Sequence, residues 1–81
     1  MLTEIDEFNA SLNDEQIEKL KEFFGADWSK LQALMDAQTE EEATEAAKSV
    51  KSAAIGMNPM RLLKIYNLFS PEQQVLLSSF I

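Results

Sequence analysis

Only four of the 81 residues are glycine or proline, and each stands where a helix would start or stop. Pro59 and Pro71 follow Asn58 and Ser70, two good helix caps. Proline suits the first helical position, because its missing N–H was an orphan there and its fixed φ is already helical. Gly25 and Gly56 close apolar-periodic segments, where glycine ends helices. Ser70 has Gln73 three residues on, and Thr39 has Glu42, the spacing of a capping box. Glu40, Glu41 and Glu42 also fit the positive end of a helix dipole. Asn13 before Asp14-Glu15 and Asp27 before Trp28 are further helix-start signals.

Between these marks the apolar spacing is helical. Leu2, Ile5 and Phe8 recur every third residue. Ile17, Leu20, Phe23 and Phe24 follow i, i+3, i+6, i+7, as do Trp28, Leu31, Leu34 and Met35. Ala43, Ala46, Ala47, Val50 and Ala54 give i, i+3, i+4, i+7, i+11. No stretch alternates as a half-buried strand would, and no Asn-Gly or Asp-Gly hairpin signal exists. The expected fold is all-α: a compact bundle of four to five short helices in a single domain, residues 1–81. The helices are expected near 3–9, 14–24, 27–37, 40–55, 59–69 and 71–80. The first is expected to be short or frayed, with Thr3 as its cap. Loops of two to four residues make consecutive helices pack as neighbours.

A chain this short buries only ~60% of the surface its unfolded form exposes. Its hydrophobic content of 46% and charge of 26% are ordinary globular values, which argues against wholesale disorder. Cysteine is absent, so no disulfide scaffold is available. Histidine is absent too, removing the commonest general base and transition-metal ligand. No segment approaches the ~20 apolar residues of a membrane span. The first ten residues hold three acids and no base, the opposite of a secretory leader. A soluble, cytoplasmic protein is expected.

The charges are polarised along the chain. Residues 1–45 carry thirteen acids and three lysines, a net −10; residues 46–81 carry Glu72 and four bases, a net +3. The acidic half would repel nucleic-acid phosphates, and Lys48, Lys51, Arg61 and Lys64 are too few for a phosphate-tracking patch.

Leu12-Asn13-Asp14-Glu15-Gln16, then Leu20, Phe23 and Phe24, echoes Phe69-Ser70-Pro71-Glu72-Gln73, then Leu77, Phe80 and Ile81, at identical offsets. Two capped amphipathic helices look alike on physical grounds alone. The first segment resembles the entering helix of EF-hand calcium sensors. The likeness stops at Phe24, because Gly25-Ala26-Asp27-Trp28-Ser29-Lys30-Leu31 lacks the oxygen ligands of a calcium loop.

The same stretch resembles acyl carrier proteins, small acidic helical domains whose Gly-x-Asp-Ser-Leu serine carries a phosphopantetheine arm. The resemblance covers about seven residues and implies Ser29 as the attachment site. Trp28 intrudes between Asp27 and Ser29, which turns the serine about 100° around the helix axis. Lys30-Leu31-Gln32 also lacks the acids expected after it. The plainer reading is that Asp27 caps a helix, Trp28 plugs the core and Ser29 faces water.

Glu40, Glu41, Glu42 and Glu45 could be taken for paired catalytic carboxylates or a metal site. In the first turn of a helix, however, acids stabilise the dipole and stay solvated. With no histidine, cysteine or Gly-rich phosphate loop, nothing assembles a nucleophile beside a base. No catalytic, cofactor-binding or metal residues are expected, and the chain is not expected to be an enzyme.

The alanine-rich helix 40–55 offers close packing against a bulkier neighbour, or a seam for a partner helix. In residues 60–69, seven of ten are apolar and Arg61, Lys64 and Asn67 leave one thin polar stripe. This segment is either the central helix, the favoured reading, or a helix with a second face for a partner. Met57 and Met60 beside it either fill gaps or adapt to a contact. A membrane-surface role for 60–81 has only Arg61 and Lys64 to support it. The C-terminal Phe80-Ile81 is expected to dock into the core.

The function expected is a small acidic protein-binding module, a regulator, inhibitor or assembly factor of bacterial or phage type. Met57, Met60, Arg61, Ile65 and Tyr66 form its expected contact edge, with Glu40 and Glu41 steering it toward a basic partner surface. A second copy of the chain is the other expected partner. The alternatives are an acyl-carrier-like domain using Ser29, and an orphan structural domain or homo-oligomer.

Overall fold

Leu2, Ile5 and Phe8 share one side of a helical register, with Glu4, Asp6 and Glu7 between them. In the computed structural model, which describes residues 2–81, this stripe is the inner face of helix α1 (Leu2–Ser11). Ile5 and Phe8 are fully buried. The Phe8 ring meets Phe69 and Phe80 edge-on, with centroids 5.1 and 5.6 Å away. Such edge-to-face pairs add to what area burial alone gives. Helix α1 packs on α6 (Pro71–Phe80) and on α3 (Trp28–Met35). Two expectations are therefore corrected. The first helix is neither short nor frayed, and Thr3 lies inside it rather than capping it. The centre of the bundle is not the 59–69 segment.

Helix α2 (Asp14–Phe24) opens with a full capping box: Gln16 N–H donates to Asn13 Oδ1 at 2.8 Å, and Asn13 N–H donates to Gln16 Oε1 at 3.0 Å. Gly25 ends it with φ +57°, the left-handed region that disfavours side chains. A 3₁₀ turn, Gly25–Asp27, leads into α3. Asp27 does not cap that helix, because its backbone is already helical. Its carboxylate pairs with Lys30 at 3.1 Å instead. Trp28 is only half-buried, with the Lys21 ammonium 5.9 Å from its ring centre.

Helix α4 (Glu40–Ile55) starts at Thr39, whose hydroxyl accepts from Glu42 N–H at 3.1 Å. The Glu42 carboxylate reaches one residue further back than a capping box requires, to Gln38 N–H at 3.3 Å. Ala43, Ala47, Val50 and Ala53 are buried, and α3 is the helix packed on α4. Small side chains let two helices approach closely, so the alanine seam is filled within the molecule.

Helix α5 (Pro59–Tyr66) is capped by Asn58, whose Oδ1 accepts from Met60 N–H at 2.8 Å. It stops three residues before the expected end. Ser70 must be extended (φ −68°, ψ 163°) to cap α6, and a residue before proline avoids the helical region. Residues 67–69 therefore form a turn that buries Phe69. Helix α6 repeats the full capping box with Ser70 and Gln73. The all-α bundle expected from the sequence holds, with a helix at each expected span. Its radius of gyration, 11.6 Å, is what a folded chain of this length should have, about 12 Å.

Candidate functional site

Helix α5 is eight residues long, about 12 Å, and buries one side chain, Ile65. Its closest helical neighbour is α2. At 100° per residue, Leu62, Ile65 and Tyr66 share one side of the helix, and Met60 and Leu63 lie a turn apart on another. The first side closes over the core. The second meets solvent: Met60 is 65% exposed and Leu63 52%. This explains the apolar surplus read in residues 60–69. The helix has two apolar sides because it is peripheral, and its own fold uses only one.

Beneath α5 lies an open cleft of about 420 Å³. Its inner wall is the buried core: Phe8 from α1, Phe24 from α2, Leu31 from α3 and Val50 from α4. Leu62, Tyr66 and Ile81, each partly exposed, stand at its mouth, and Ala54 and Leu77 complete the sides. No charged side chain lines it. Ser78 is among its few polar residues, and that hydroxyl already donates to Gln74 O at 2.9 Å. Two further apolar side chains face water nearby in sequence: Ile55 at the end of α4, 78% exposed, and Val75, 71% exposed. Val75 sits on the opposite side of α6 from Gln73 and Phe80, by the same 100° step.

The expected contact residues separate into three places. Met60, Arg61 and Tyr66 are all exposed on α5, but Tyr66 lies on the cleft side with Leu62 while Met60 lies on the outer side. Met57 precedes them, half-buried against the core. Ile65 is buried and lines the cleft, so it supports the surface without meeting a partner on the ledge. Glu40 and Glu41 lie in the first turn of α4, about 20 Å along that helix from Ala54. With Thr44 and Glu45 they border a shallow surface hollow. Glu40 Oε1 also accepts from Leu2 N–H at 3.2 Å, tying the start of α4 to the start of α1.

Leu62 and Leu63 are exposed apolar residues outside the expected contact set, although both lie inside the apolar run that drew attention. The available signal was angular: Leu63 and Met60 fall off the side defined by Ile65. The cleft left no mark in the sequence, because it is assembled by all six helices. Ser29 is exposed in the first turn of α3, and Phe80 docks into the core while Ile81 lies at the cleft mouth. No helix is long and apolar enough to cross a membrane among the described residues. Compared with protein-family models, curated proteins and solved structures, the chain matches none.

Proposed function

We propose that this chain is a non-catalytic protein-binding module, a small regulator, inhibitor or assembly factor, whose contact surface is the outer side of α5. One observation carries the reading. Met60 and Leu63 are solvent-exposed neighbours on a helix that already satisfies its core with its other side. Isolated exposed apolar residues are ordinary, but grouped ones beside an apolar cleft mark binding surfaces. A surface of this kind supplies desolvated contact, and charges around it supply orientation.

The charges favour a different protein over a symmetric second copy. A two-fold pairing of α5 with itself would bring Arg61 and Lys64 close to their own images, juxtaposing like charges. The acids of α2, Asp14, Glu15, Glu18 and Glu22, are all exposed, and α2 is the helix against which α5 packs. A partner presenting an apolar segment flanked by basic groups would meet both features. The acidic first turn of α4 adds long-range attraction.

The test is affinity capture from the native host at low and moderate salt, read by mass spectrometry, with the wild-type chain beside Leu63→Glu. A protein retained by wild type and lost with Leu63→Glu supports the reading. Capture that Leu63→Glu leaves unchanged, or a monomer that captures nothing, contradicts it.

A further inference from the structure

We infer that the cleft beneath α5 is a binding site for a single-chain amphiphile, a hydrocarbon tail of about a dozen carbons bearing an anionic head. The inference concerns the inside of the cleft and stands apart from partner docking on the outer side of α5. At about 420 Å³ the cleft has the size of a small-ligand pocket rather than of a groove for a whole helix. Allowing about 30 Å³ per water-sized group, it admits on the order of a dozen methylenes. Its wall is aromatic and aliphatic, with Phe8, Phe24 and Leu31 at the inner end. Ser78, already bonded to its own helix, has no hydroxyl proton left for a ligand. Such a wall recognises a hydrocarbon chain, with the Tyr66 hydroxyl at the mouth as its other polar group.

The head group is assigned by the lip formed by α4 and α5. Residues 46–71 carry four bases and no acid. Lys51 lies one turn before Ala54, and Arg61 one turn before Ile65, both cleft residues. Both bases are exposed, and neither forms an ion pair among the described residues. A tail in the cleft places its head at this lip, where a carboxylate gains two unpaired cations and a quaternary ammonium gains none.

The probe is a series of sodium alkanoates from octanoate to tetradecanoate, each below its micelle concentration, titrated calorimetrically into the full chain. Methyl resonances of Leu31, Val50, Leu62 and Leu77 are followed in parallel. The expected result is one saturable site whose affinity rises about fourfold per added methylene and levels off near a dozen carbons. Ala54→Phe, which fills the cleft, weakens binding at least tenfold. Leu62→Asp at the mouth does the same from an exposed position, should Ala54→Phe fail to fold. Lys51→Glu and Arg61→Glu each weaken decanoate several-fold and leave decan-1-ol unchanged. The inference is overturned if no alkanoate binds saturably or if affinity is still climbing about fourfold per methylene between dodecanoate and tetradecanoate. It is overturned equally if decyltrimethylammonium binds as tightly as decanoate, or if association occurs only with phosphatidylglycerol vesicles.

Discussion

Gln16 and Gln73 hold each other through reciprocal amide hydrogen bonds: Gln16 Nε2 donates to Gln73 Oε1 at 2.8 Å, and Gln73 Nε2 donates to Gln16 Oε1 at 3.2 Å. Each is also the third residue of a capping box, so each oxygen accepts the backbone N–H of its own cap, Asn13 or Ser70. The remaining donors cross over. Gln16 Nε2 bonds Leu68 O at 2.9 Å, and Gln73 Nε2 bonds Ser11 O at 3.0 Å. Ser11 and Leu68 each lie two residues before the cap. The echo seen in the sequence is thus a local two-fold arrangement that clasps the start of α2 to the start of α6.

Gln73 is the one buried polar residue among those described, 5% exposed. Replacing it with alanine removes the partner of Ser11 O and Ser70 N–H and one bond of the Gln16 amide, which keeps Leu68 O. Each stranded buried group costs about 1–3 kcal/mol, and water reaching Gln16 recovers part. Gln73→Ala should cost about 2 kcal/mol and lower Tm by roughly 8–16 °C. The double variant with Gln16→Ala should cost less than the two single changes combined, since both remove the same clasp. Strict additivity in chemical denaturation would show that the two amides act independently.

Core and ledge should respond oppositely to truncation. Phe8 sits between two aromatic rings, and Phe8→Ala should cost about 3–5 kcal/mol. Against a total of about 5–15 kcal/mol, that leaves the fold marginal or lost. Leu63→Glu, on the exposed side of α5, should stay within about 0.5 kcal/mol of wild type. Urea midpoints measure both. A Leu63→Glu chain that unfolds would mean that α5 presents a different side from the one described.

Steering by the acidic face should appear in rates. Changing Glu40, Glu41 and Glu42 together to Gln should slow association with a captured basic partner, roughly tenfold at low salt. The difference should shrink at 0.5 M salt, where charges are screened beyond a few ångströms. Stopped-flow measurement of the two chains decides it, and equal rates at low salt would remove steering from the account.

Ser29 should remain unmodified. Co-expression with a phosphopantetheinyl transferase should leave the intact mass unchanged, because Trp28 displaces the serine from the first helical position. A mass increase that disappears in Ser29→Ala would establish the carrier alternative.

The sequence displayed the helices more clearly than their places. Caps at Asn13, Thr39, Asn58 and Ser70 are local devices, and each bonds as its chemistry requires. Asp27 was misread because capping needs an extended backbone, and the 3₁₀ turn after Gly25 had already made that residue helical. The apolar stripe of α1 is enclosed and that of α5 is not, for a non-local reason. Ile5 and Phe8 form a narrow stripe that other helices enclose, whereas the broad apolar arc of α5 is divided between core and solvent. An apolar count cannot separate an enclosed helix from one with two separate faces. Glu40 and Glu41 likewise looked like one edge with Met60 and Arg61, but they lie at the far end of α4 from the turn that leads into α5.

Backbone hydrogen exchange, compared between the free chain and its complex with a captured partner, decides whether the outer side of α5 is the contact surface. Amides of residues 59–66 should gain at least tenfold protection in the complex, while those of residues 40–45 change little. Protection gained at 40–45 and absent from 59–66 would contradict it, placing the contact on the acidic first turn of α4 and leaving the exposed side of α5 without a role.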